Sequence, residues 1–296
     1  MKSSIHPLAV ATVVGLSALL TAAQASAKHA VWPRIPGTIA FTTRTDGFAG
    51  PLFTTDADGS HRTRLFGGLN VRPRWSPDGS SLLFTRVSRA SFSGDVFVLT
   101  SKRTLIRVAR HATDPMWSPD SHVIYFARQG SWWSFELASH HAKKVGPAQG
   151  LWSDLARDGV RVAFQADRGI GIASLGKRTV RKLTSGEDLT PSWSPNGKKI
   201  AFARSEFGLG NISPGTSLYF ANAQTGSLTQ LTDGSAQDLS PRWAPDGKRI
   251  VFVRGDLSAH PYAAGIEVFV MNADGSGTHA ITHNAVAEAD PDWRRT

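Results

Sequence analysis

Residues 72–80 read RPRWSPDGS, a Pro two places before a Trp, then Ser-Pro-Asp-Gly, and the apolar run SLLF follows at once (81–84). The string recurs as DPMWSPDS (114–121), PSWSPNGK (191–198) and PRWAPDGK (241–248), in eroded form as SDLARDGV (153–160), and finally as DPDWRRT (290–296). The six anchors Trp75, Trp117, Leu155, Trp193, Trp243 and Trp293 stand 42, 38, 38, 50 and 50 residues apart. A fixed period of about 40–45 residues points to a repeat architecture and fits one four-stranded propeller blade.

What fills the period excludes a helical repeat. After each complete copy comes a β-rich run ending in an aromatic, at Phe84, Phe126, Phe164, Phe202 and Phe252, always nine residues past the anchor. Pro presets φ at the second position of the turn, Asp bonds its own backbone and Gly accepts a positive φ, so Ser-Pro-Asp-Gly is a tight turn between two strands. A third strand follows (DVFVL 95–99, LYFAN 218–222, EVFVM 267–271), then a turn such as NADGSG (272–277), then a fourth strand carrying Leu183-Thr184, Leu231-Thr232 or Ile281-Thr282. Four short strands per period describe a blade.

The order Pro-x-Trp-Ser-Pro-Asp-Gly-Lys-x-Ile-Ala-Phe, a third strand and then Leu-Thr resembles the TolB-type, WD-like β-propeller repeat of bacterial exported proteins, over residues 37–296. The resemblance implies an all-β, six-bladed β-propeller. The last copy stops at Trp293 with no second strand, whereas GTIAF (37–41) is a second strand without a first. Closure by pairing of the C-terminal strand with the N-terminal blade is therefore expected, and it removes two open sheet edges. The Trp anchors read as fillers between blades. TolB of the Tol–Pal system carries a separate α/β domain ahead of its propeller; there is no room for one here, which argues against that system's role.

Residues 1–27 combine Lys2, an apolar stretch from Leu8 to Leu20 and Ala25-Ser26-Ala27, the pattern of a secretory signal peptide cleaved after Ala27, with 28–36 as a linker. The expectation is an exported protein, periplasmic or secreted, without stable membrane insertion after cleavage and monomeric. No Cys occurs, so disulfides, thiol chemistry and a lipidated Cys are excluded. The formal net charge is +10, or +9 without the leader. A basic protein attracts anions. Export and the absence of a recognised module exclude nucleic acid, which leaves a protein or anionic glycan of the cell envelope as partner.

No Gly-x-Ser-x-Gly elbow occurs. DADGS (56–60) lacks the ligand pattern of a calcium loop and reads as a hairpin turn. No cofactor and no metal site are expected, although His260, His279 and His283 lie close in sequence. Some oligogalacturonate lyases use related propellers with channel histidines, so an exported polysaccharide lyase is the alternative to a non-catalytic binding scaffold.

A more regular signal is an Arg just past the second strand: Arg86, Arg128, Arg204 and Arg254 two residues after the Phe, Arg44 and Arg168 three and four after. Propeller geometry places these loops beside the segments entering the inner strands, which carry Asp188, Asp238 and Glu288. One reading is that each Arg pairs with a nearby acid and braces neighbouring blades. The other is a binding face. The long insertions SEFGLGNISPGTS (205–217) and GDLSAHPYAAGI (255–266) place Phe207, His260 and Tyr262 beside Arg204 and Arg254, and loops on a rigid scaffold carry binding. The expected site is this loop end rather than the Ser-Pro-Asp-Gly turn end.

Overall fold

The computed structural model describes residues 38–45, 49–88, 91–205, 215–255 and 265–295, all within the compact unit Arg34–Thr296. The signal-peptide and linker expectations for residues 1–36, and Phe207, His260 and Tyr262, lie outside the described residues.

The described residues form strands and no helix. In chain order they are β1 (Ile39–Thr43), β2 (Gly50–Thr55), β3 (Thr63–Trp75), β4 (Leu82–Ser88), β5 (Ser91–Leu99) and β6 (Leu105–Trp117). Then come β7 (Val123–Arg128), β8 (Ser131–Glu136), β9 (His141–Pro147), β10 (Leu151–Leu155), β11 (Arg161–Gln165), β12 (Ile170–Ser174) and β13 (Val180–Lys182). The remainder are β14 (Glu187–Trp193), β15 (Lys199–Ser205), β16 (Thr216–Asn222), β17 (Leu228–Gln230), β18 (Gln237–Trp243), β19 (Arg249–Gly255), β20 (Glu267–Asn272), β21 (His279–Ala280) and β22 (Glu288–Trp293).

Consecutive strands pair antiparallel in short meanders: β10 to β13, β14 to β17 and β18 to β21. β3 and β6 each serve two meanders: their first halves pair back with β2 and β5, their second halves forward with β4 and β7. The C-terminal β22 pairs with β1, Ile39 opposite Trp293 and Thr43 opposite Glu288, so the two ends of the sequence share one meander as their fragments require.

Each meander's opening strand, the one that carries Pro-x-Trp or, in β10, its eroded copy, is broken by the same bulge. In β14 the register passes from Leu189 opposite Ala203 to Ser192 opposite Ala201, so Thr190 and Pro191 together face Phe202. The same two-against-one step falls at Arg72-Pro73, Asp114-Pro115, Trp152-Ser153, Ser240-Pro241 and Asp290-Pro291. The first residue of every pair has a positive φ, between 48° and 54°. A bulge leaves a residue out of the ladder and turns its side chain to a new direction, and Pro within a sheet belongs where no ladder donor is needed. The motif's Pro therefore marks the bulge, and the buried Phe opposite fills the space that it opens.

The Trp anchors pack between meanders. Trp243 of β18 stacks on Phe220 of the preceding meander with ring centroids 4.9 Å apart. Trp193 joins Ala163, Ile170 and Ile172 of the meander before it and Ile200 and Phe202 of its own in one buried cluster. Leu155 is half-buried in the equivalent place, while Trp152 has moved to the bulge.

Candidate functional site

At the loop end the acids entering the opening strands are buried and engaged. Asp188 and Arg204 are direct cross-strand partners. The guanidinium grips the carboxylate with both forks, Nε to Oδ1 at 2.6 Å and Nη2 to Oδ2 at 2.9 Å, and stacks over Phe202 and Tyr219. Asp238 and Arg254 repeat this at 2.7 and 2.8 Å, and the bond to Asp238 raises the Arg254 pKa. The pairing lies within one meander. The link to the previous meander comes from the Thr of Leu-Thr: Thr184 accepts from the Ile170 amide at 2.8 Å and donates to Asp188.

The other loop-end positions differ. Arg86 donates to Asn70 at 3.3 Å, and Arg128 lies 4.2 Å over the Trp133 ring. Glu288 is met by Arg62 at 3.3 Å, with Thr282 donating at 2.5 Å and Asn284 at 2.9 Å. Burial pushes the Glu288 carboxyl up, against those bonds. Arg44 has a buried Nε with no hydrogen-bond partner among the described residues. His279 and His283 are exposed, and no three metal-ligating side chains gather among the described residues.

The bulges bring together side chains from several opening strands. Arg72 donates to Asp114 at 2.7 Å, its guanidinium lies 3.7 Å over the Trp152 ring, and its amide donates to Asp290 at 3.1 Å. These residues come from four different opening strands. Two residues on, towards the turns, lies a second layer. Arg242 reaches Asp154 at 2.7 Å, bridging strands β18 and β10 that are not neighbours, and Asp292 accepts the Trp75 amide at 2.7 Å. Burial raises the Asp292 carboxyl above the usual range, against the charges of Arg74 and Arg242. The same burial, then the charge of Arg242, pulls Arg74 down to about 10.

Above this layer a cavity of about 150 Å³ opens among the Ser-Pro turns. Its charged lining is Arg74, Arg157, Arg242 and Arg295 against Asp154 and Asp292, set among Trp anchors and Pro77, Pro115, Pro195 and Pro245. Four guanidinium groups face two carboxylates.

The sequence profile described as TolB beta propeller domain matches residues 170–295. That match takes in the last three of the repeated segments and less than half of the chain. Among solved structures it is similar to TolB from Acinetobacter baumannii at 20% identity and a TM-score of 0.69, over 87% of this chain and 66% of that one. The chain thus spans slightly less than two thirds of that TolB. A TolB-like structure from Agrobacterium tumefaciens matches at 19% identity and a TM-score of 0.63, over 84% of this chain and 89% of that one. No curated protein matches.

The sequence reading did not place these two layers, because the regular alternation of a strand does not run through the bulge. A Pro inside a strand is the available signal at Arg72-Pro73, Asp114-Pro115 and Asp290-Pro291, whereas β10 has Ser153 in that place and carries no such mark.

Proposed function

We propose that this chain is an exported, non-catalytic binding scaffold for an anionic protein or glycan of the cell envelope. In this reading a six-bladed propeller spans residues 37–296, closes through β22 beside β1, is released by cleavage after Ala27 and works as a monomer. The register of β22 on β1 supports closure. The observation that carries the function is the excess of guanidinium over carboxylate in the axial cavity of a chain with net charge +10. Positive charge focused in a low-dielectric cleft concentrates and orients anions. The Asp188–Arg204 and Asp238–Arg254 forks act as braces, because Nε and Nη2 of each guanidinium grip a buried carboxylate.

The test is retention of the purified protein on immobilised polyglutamate and polygalacturonate against neutral dextran at physiological ionic strength, together with an ultraviolet assay for unsaturated uronides. Retention on an anionic matrix without product is expected. Passage through both columns, or steady release of unsaturated products, refutes the scaffold.

A further inference from the structure

Resting on the scaffold reading, we infer that the axial cavity at the turn end is a receptor for a peptide carboxylate, an acidic side chain or a chain terminus, with Arg157 and Arg295 as the two jaws.

The jaws follow from what the other charges do. Arg242 is committed to Asp154 at 2.7 Å, Arg74 turns back on the Pro73 carbonyl at 2.7 Å, and Asp154 and Asp292 accept the Trp193 and Trp75 amides at 2.7 Å each. These four groups form the floor. Arg157 and Arg295 line the same cavity, and no acid lies within ion-pair distance of either among the described residues. They stand close enough that, after partial burial, the charge of Arg295 is what lowers the Arg157 pKa. Two like charges held together in a partly enclosed space are relieved by an anion between them, and the planar fork of Arg matches a carboxylate.

Size and chemistry select the ligand. About 150 Å³ holds roughly five waters. That is below the roughly 300–1,000 Å³ of pockets that enclose a whole small molecule. The space takes one group presented by a larger partner. A sugar acid brings hydroxyls that need partners, yet the hydroxyls of the wall are engaged: Ser76 donates to Asp78 at 2.5 Å and Ser194 to Asn196 at 2.9 Å. The rest of the wall is proline and indole with Met116 and Leu155, which suits the apolar stem of a peptide residue next to its carboxylate.

The test uses dye-labelled triglutamate with a free C-terminus, and trigalacturonate as competitor, on the wild-type protein and two variants. Arg157→Gln/Arg295→Gln removes the jaws, both exposed, so the fold is kept. Lys143→Gln/Lys144→Gln removes the same charge from the exposed strand β9. Triglutamate affinity is expected to fall by about tenfold to a hundredfold in the arginine variant, the range for losing charge-assisted hydrogen bonds, and to stay within about twofold in the lysine variant. Equal losses in both variants overturn the site. Tighter binding of trigalacturonate than of triglutamate overturns the choice of a peptide. Full retention of the arginine variant on polyglutamate sinks this cavity and leaves the scaffold standing, whereas failure of the wild type to be retained sinks both.

Discussion

Cutting one side of the Asp188–Arg204 fork gives the sharpest check on the loop-end geometry. The Asp188 side chain is 0% exposed and that of Arg204 is 19% exposed. In Arg204→Ala the carboxylate stays buried with Thr184 still donating to it, and removing one partner of such a pair costs about 3–5 kcal/mol. In Asp188→Ala the guanidinium, already partly exposed, can turn towards water, so the loss should fall at the lower end, about 3 kcal/mol. The double variant leaves no stranded charge and should lose less than the sum of the two by about 2 kcal/mol, within the range for residues in one network. Each 1 kcal/mol corresponds to about 2–4 °C in a domain of this size. Urea and thermal unfolding of the four proteins reads all three quantities. Single variants within about 2 °C of wild type, or strict additivity in the double, refute the brace.

Two other expectations follow from the same meander ends. Burial holds the Glu288 carboxyl above its ordinary 4.5, so the folded state binds that proton more tightly than the unfolded chain and stability falls as pH rises through 4.5 towards the folded value. Glu288→Gln lacks this loss, and its melting temperature minus that of wild type should therefore increase between about pH 4 and pH 7; a difference that shrinks over that range contradicts the argument. Deleting residues 288–296 removes β22, uncovers the fully buried Ile39 and Phe41, and takes away Trp293, whose loss alone is worth about 3–5 kcal/mol. Aggregation on size exclusion is expected, and a monomer with an unchanged melting point rules out the shared meander.

What was legible in the sequence was whatever repeated with a local cause. Ser-Pro-Asp-Gly fixes its turn through φ preferences and an Asp that bonds its own backbone, so the hairpin register and the buried Phe could be placed, and the orphan strands GTIAF and DPDW could be matched. The partners of the acids were less legible. Asp188 finds Arg204 by cross-strand register, but Glu288 finds Arg62 from another connection, and no spacing rule chooses between Arg62 and Arg44. The Leu-Thr pair was visible as a marker of the fourth strand, and its Thr184 hydroxyl reaches Asp188 only four residues on, across the short link into β14, a contact that the spacing of Thr and Asp could have suggested. The axial charges stayed hidden because the bulge breaks the alternation from which facing is read.

The partnership of β1 with β22 also sets a clock. Ile39 and Trp293 are 254 residues apart in the sequence, yet they are neighbours in one sheet. At a synthesis rate of about 5–20 residues per second, β1 waits roughly 13–50 s for its inner neighbour to be made. During that interval its inner edge has no native partner, and the N-terminal meander cannot settle. A nascent chain built in this way stays unfinished, and so pliable, until β22 is made.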